Sequence, residues 1–242
     1  MYGYYGYGYN PGFYFDSTYI LIIIGALISL WASSRVKSTF ARYDKQSLLR
    51  GMTGAQAAEM ILQRAGIYDV VIQRVSGSLT DHYDPSSRVL RLSDSVYGRA
   101  TVAAVGVAAH ECGHAIQHHQ GYAPLQMRTT LVPICNFGNM ISWPLIMIGV
   151  LMGWNPLLIR IGILLFCGVV LFQLITLPVE FNASERALEM LSSLGILHGE
   201  ENDGAKKVLG AAALTYVAAA AASILQLLRL VLLFGGRRRR DN

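Results

Sequence analysis

The 242-residue chain is 53% hydrophobic and only 14% charged, with a mean hydropathy of +0.38. That balance excludes an ordinary soluble domain and fits a membrane protein carrying one modest water-facing portion. The net charge of +5 comes largely from Arg35 to Arg50 and from Arg237 to Arg240; both clusters flank apolar segments, so the expected partner is the lipid bilayer with its anionic headgroups, not nucleic acid.

Residues 1–17 form a Tyr/Gly-rich tail without a basic leader or a small-residue cleavage signal, so they do not read as a cleaved signal peptide. Residues 18–34 predict a transmembrane helix, short for a span but extended into the interface by Tyr14, Phe15 and Trp31. Arg35, Lys37, Arg42, Lys45 and Arg50 follow at once. The positive-inside bias therefore places the N-terminus outside and the next segment in the cytoplasm.

Residues 35–130 predict the cytoplasmic catalytic portion. Thr53-Gly54-Ala55-Gln56 is a capping-box start for a helix reaching Ala65 and ended by Gly66. Asp69 to Val75 and Arg88 to Ser93 alternate like short strands, joined by a turn-rich stretch. Val89 to Leu92 is expected as an exposed edge strand near the site, able to take an extended peptide by β-augmentation. A helix over roughly Gly98 to His119 then carries His110-Glu111-Cys112-Gly113-His114. In this H-E-x-x-H pattern the two histidines lie one turn apart on one face, where both imidazoles reach a single Zn²⁺, and Glu111 sits beside the metal as general base. The lead-in from Thr101 to Ala109 is small and apolar, so the motif is expected on a packed helix, where two imidazoles and a carboxylate are costly unless a metal or hydrogen bonds satisfy them. Cys112 occupies a variable position and reads as a packing residue; with Cys135 and Cys167 in apolar runs, the cysteine count of three suggests neither a disulfide framework nor a Cys-based metal site.

Residues 131–177 predict a transmembrane hairpin, two apolar runs parted at Asn155, with Pro133 and Pro144 in the first and Arg160 as its charged residue. Two crossings return the chain to the compartment of His114. Residues 178–207 predict a new helix with Pro178 in its first turn and Glu180 near the positive end of its macrodipole. Residues 208–236 form an Ala-rich apolar helix that either spans or lies on the domain, giving three or four crossings; the basic tail 237–242 would land outside if it spans, which favours the second arrangement.

No Asp or Glu occurs between Cys112 and Val179, so a carboxylate completing the metal site from this side of the chain comes from Glu180 or beyond. Gln117 and Gln120 stand where a metzincin needs Gly and His, and His118 lies about 12 Å along the helix axis from His110, too far for one ion. Glu180 is the preferred third ligand, leaving the fourth position open for water; its alternative is to stabilise a helix start. His82, Tyr83 and Tyr216 are possible donors to a developing oxyanion, though a structural turn or a packed helix explains them equally. A site-2-type intramembrane protease is disfavoured, since no Asp lies between Asp94 and Asp203 to serve as its ligand. The expected function is hydrolysis of peptide or protein substrates, membrane proteins among them, by a zinc-activated water; the alternative is a catalytically idle zinc-binding scaffold or chaperone-like binder, against which Glu111 and the missing fourth ligand argue.

SRVKSTF (34–40), LTDHYDP (79–85), GVAAHECGHAIQH (106–118), LPVEFNAS (177–184) and AAALTYVAAA (211–220) together resemble the neutral zinc metallopeptidases of the YugP type, a bacterial membrane family. The resemblance covers nearly the whole chain beyond the tail. It implies a multi-pass protein of the bacterial cell (inner) membrane with zinc ligands at His110 and His114 and the catalytic Glu at Glu111. A weaker likeness to HtpX-type membrane proteases and CAAX prenyl proteases, with a Glu-x-x-Ala-Asp stretch, matches Glu180 and Ala183 but has Ser184 in place of Asp, so only a hydroxyl is offered there. The fold class expected is a mainly α membrane protein, its transmembrane helices joined to a small α+β zincin-like, gluzincin-type domain with the H-E-x-x-H helix.

Overall fold

The computed structural model describes residues 16–48 and 50–235. The aromatic tail up to Phe15 and the arginine run Arg237 to Arg240 lie outside the described residues. Helix α1 (Tyr19–Tyr43) is followed by α2 (Gly54–Arg64), strands β1 (Val71–Val75), β2 (His82–Asp84) and β3 (Val89–Ser93), and helices α3 (Val102–His119), α4 (Ala123–Leu151), α5 (Pro156–Ser193) and α6 (Glu200–Gly235). The protein is mainly α, with α1, α4, α5 and α6 each long and apolar enough to cross a membrane. Their outward faces carry large apolar side chains such as Leu30, Leu151 and Leu164, a pattern suited to lipid rather than water.

Between α1 and α4 sits the small α+β portion. The capping box of α2 forms in both directions: Gln56 N–H donates to Thr53 Oγ1 at 3.3 Å and Thr53 N–H donates to Gln56 Oε1 at 2.9 Å. Gly66 ends the helix at φ 73°, a left-handed turn that costs glycine nothing. The sheet has the order β1-β3-β2, β1 parallel to β3 with Val71 opposite Val89, and β2 antiparallel with Tyr83 opposite Leu90. The expectation of an edge strand at Val89 to Leu92 is therefore overturned: β3 is central, and Val89, Leu90, Leu92 and Ser93 are all buried. Only a strand covered on both faces buries consecutive residues, and this one reads as an edge only when β2, three residues long in a turn-rich stretch, goes unseen.

Thr101 caps α3, its Oγ1 accepting from Ala104 N–H at 3.3 Å. The run Val102 to Val105 is completely buried, packed with Ile61 and Leu62 of α2, Leu191 of α5 and Ala205 and Leu209 of α6 in one core. α4 and α5 form the expected hairpin, turned through Gly153 and Trp154 and closed by Asn155, whose Oδ1 accepts from Leu157 and Leu158 N–H. A separate helix starting at Pro178 does not exist: α5 passes without a break through Pro178 and ends at Ser193. Glu180 therefore lies in a helix interior, and the macrodipole argument made for it fails. Thr176 before the proline and Val179 and Ala183 after it are buried, and this packing on both sides of Pro178 holds the helix together despite the lost N–H. α6 combines both arrangements foreseen for it: Ala205, Val208 and Leu209 pack into the domain core, while Ala222 and Arg229 farther along lie against Gly25 and Tyr19 of α1.

Candidate metal centre

α3 presents His110 and His114 from successive turns, their rings 4.8 Å apart and nearly perpendicular at 82°. α5 returns from the hairpin and lays Glu180 across them. Its Oε2 lies 3.3 Å from His110 Nε2 and 3.6 Å from His114 Nε2. Glu180 is 2% exposed and His114 9%, so the cluster is shielded from water. The close approach of α3 to α5 depends on Gly113, where a Cβ would drive into the Ala183 carbonyl.

The hydrogen bonds around the cluster fix its protonation. Gln117, completely buried, donates from Nε2 to the Val179 carbonyl at 2.9 Å and to Asn182 Oδ1 at 3.0 Å. A backbone carbonyl only accepts, so the amide NH₂ must face α5 and Oε1 must face His114 Nδ1, 3.1 Å away. His114 therefore carries its proton on Nδ1 and turns the Nε2 lone pair towards Glu180. Ser184 Oγ lies 3.1 Å from His110 Nδ1 and can accept from it in the same way, so the hydroxyl in place of the Asp still orients a histidine.

Two lone pairs facing a carboxylate repel unless a cation lies between them. Ligands about 2.1 Å from a tetrahedral zinc stand about 3.4 Å from one another, which is the spacing found from Glu180 Oε2 to the two imidazoles. The donor set thus fits Zn²⁺. Burial opposes charge on Glu180 and on His114, but their mutual contacts outweigh it, holding the Glu180 carboxyl well below its ordinary range and His114 above its own, so a proton on His114 Nε2 and a cation between the groups are alternative ways to satisfy the buried carboxylate.

Glu111, next in the motif, is also buried, and its Oε2 accepts from the Tyr83 backbone N–H of β2 at 3.0 Å. That bond fixes one carboxylate oxygen of Glu111 beside the cluster. Of the candidate oxyanion donors, Tyr216 is the one whose side chain is brought to the cluster, beside Glu180 and Arg128. The Tyr83 hydroxyl pairs with His118 Nδ1 at 2.8 Å, and the exposed His82 ring meets the Thr80 carbonyl at 2.9 Å. His119 is exposed. Cys112 is fully buried with Sγ 3.6 Å from the Ala58 carbonyl, and burial pushes its thiol up, as suits a packing residue.

Sequence reasoning missed Arg128, which donates from Nη1 to Glu180 Oε1 at 2.8 Å and so turns Oε2 to the imidazoles. Its one signal is that it stands alone as a charge between His119 and Arg160. Gln117 stands in the sequence as a failed metzincin position, yet its i+3 spacing from His114 places it on the same face.

The sequence profile of the family described as "Putative neutral zinc metallopeptidase" matches residues 18–235. A Bacillus subtilis (strain 168) protein named "Putative membrane protease YugP" is 48% identical over 200 residues, covering 82% of this chain and 88% of the relative. No solved structure matches the chain. With a profile match that takes in every element of the fold and the whole histidine and carboxylate cluster, the chain belongs to the neutral zinc metallopeptidase family of membrane proteins.

Proposed function

We propose that the protein hydrolyses peptide bonds at the cytoplasmic face of the bacterial cell membrane, with His110, His114 and Glu180 holding Zn²⁺ and Glu111 as general base. The observation that carries the reading is the meeting of two imidazole Nε2 atoms and one buried carboxylate oxygen, with Glu111 fixed alongside. When bound, Zn²⁺ acidifies water and polarises the scissile carbonyl. Glu111 Oε1 accepts the proton of the attacking water and hands it to the departing amine, while the Tyr83 N–H keeps the carboxylate aimed. Tyr216 is the side chain to meet the oxyanion, since Tyr83 and His82 are engaged elsewhere. Arg35, Lys37, Arg42 and Lys45, crowded behind the apolar part of α1, support a cytoplasmic site, and the exposed apolar helices support substrates drawn from or near the bilayer.

The test is zinc content measured beside casein turnover. Glu111→Gln is expected to keep stoichiometric zinc and lose at least about 10²-fold in turnover. In the wild type, a chelator should abolish cleavage and added Zn²⁺ restore it. Undiminished turnover by the Gln variant removes Glu111 from its role, and a zinc-loaded wild type that cleaves nothing selects the idle scaffold instead.

A further inference from the structure

α1 is apolar from Tyr19 to Ser33 and becomes basic at Arg35, and α6 runs antiparallel beside it, with Ala222 against Gly25 and Gly204 against Tyr43. Where the apolar run ends, the two helices border a cavity of about 440 Å³ lined by Arg35, Ser38 and Arg42 from α1 and by Lys207, Gly210 and Leu214 from α6. Among the described residues, the Lys and Arg side chains paired to carboxylates are Arg74, Arg88, Arg91, Arg99 and Arg128. Arg35, Arg42 and Lys207 have no carboxylate within ion-pair distance among the described residues. Three uncompensated cations around one cavity repel one another and raise the potential within it, a field that an anion relieves. The space is open: a Cβ on Gly210 would meet nothing within 4 Å.

The surroundings say what kind of anion. Leu27, Trp31, Arg35 and Arg42 follow one face of α1 at helical spacing, and Leu27 and Trp31 are 60% and 58% exposed. On α6, Val217 and Ile224 continue the face of Gly210 and are also exposed. The cationic cavity therefore lies at the end of exposed apolar faces on both helices, which run on into the membrane. A free phosphate has no use for such faces, whereas a lipid lays its acyl chains on them. The ammonium of a zwitterionic headgroup would meet the same uncompensated cations and be repelled.

We propose that the cavity between α1 and α6 binds the phosphodiester headgroup of an anionic membrane phospholipid, its phosphate held by Arg35, Arg42 and Lys207. The site is independent of the hydrolytic reading, because it needs only that α1 and α6 lie in a bilayer.

The experiment is native mass spectrometry of the full chain released from detergent with added phosphatidylglycerol, phosphatidylcholine or glycerol 3-phosphate. Wild-type protein should retain phosphatidylglycerol in preference to phosphatidylcholine, and millimolar glycerol 3-phosphate should not displace it. A basic side chain near the membrane surface contributes about fivefold to such binding, so Arg35→Ala/Arg42→Ala/Lys207→Ala is expected to weaken retention by about 100-fold. Gly210→Leu keeps every charge, fills the cavity and improves helix propensity; it should weaken retention to a similar degree and carries the test alone if the triple variant does not fold. Arg160→Ala, at the far end of the hairpin, should retain lipid like the wild type. Equal retention of the two lipids, full retention by Gly210→Leu, or displacement by glycerol 3-phosphate overturns the proposal, the last by showing a free phosphate site.

Discussion

Gln117 governs the chemistry of the site without belonging to its motif. Its amide is locked by the Val179 carbonyl and Asn182 Oδ1, and that lock presents an acceptor to His114 Nδ1 and so favours the proton there. Gln117→Leu removes the acceptor for Nδ1–H while conserving the buried volume approximately. Partners of this kind contribute about 10- to 100-fold in metal affinity, so zinc should be lost to a competing chelator at correspondingly lower chelator concentration. Gln117→Glu, which keeps an acceptor towards His114, should recover part of the loss; equal affinity in all three proteins would mean that the ring is oriented by packing. His110, Glu111 and His114 could be read from the chain because one helical turn brings them together, and Glu180 because the intervening residues offer no other carboxylate. Arg128 could not: its contact with Glu180 joins α4 to α5, and no local pattern encodes a meeting between residues so far apart.

Among the elements, α3 and α5 carry the site, and their separation sets whether the imidazoles meet the carboxylate. Gly113 is the contact point, with the Ala183 carbonyl where a Cβ would stand. Gly113→Ala brings two opposed effects. Alanine improves helix propensity by about 1 kcal/mol, while forcing a methyl into packed backbone costs about 1–3 kcal/mol. The neighbour is a main-chain carbonyl that cannot rotate aside, so the loss should win. The expected outcome is a lower melting temperature in detergent together with reduced zinc retention, measured on the same preparation; an unchanged melt with full zinc would show that the helices part without consequence. The helices of the small domain were legible from their caps, Thr53 with Gln56 for α2. The sheet was only half legible, since His82 to Asp84 are too few to alternate and their pairing places β3 at the centre. Pro178 misled because a proline signals a helix start where the chain stands alone in water, but not where Val179 and Ala183 are buried against another helix.

For the molecule as a whole, the decisive relation is that α6 runs antiparallel to α1 from end to end. Tyr43 meets Gly204 beside the small α+β portion, and the Arg229 guanidinium stacks 4.4 Å over the Tyr19 ring at the other end. If α1 crosses the bilayer, α6 crosses with it, and together with the α4–α5 hairpin that makes four crossings. The arginines beyond Gly235 favour three by charge bias, which treats a segment alone and does not see the helix it packs on. The arrangement predicts sidedness. Cysteines placed at Gly153, in the hairpin turn, and at Gly235, the end of α6, should react with a membrane-impermeant thiol reagent in intact cells. A cysteine at the exposed His198, between α5 and α6, should react only after the membrane is opened. Protection of Gly235 in intact cells would turn the last helix back into the bilayer and separate it from α1. Labelling of His198 with protection of Gly153 would instead keep the four crossings and invert the protein, moving the metal cluster to the outer face, where the basic end of α1 would oppose the membrane's charge bias.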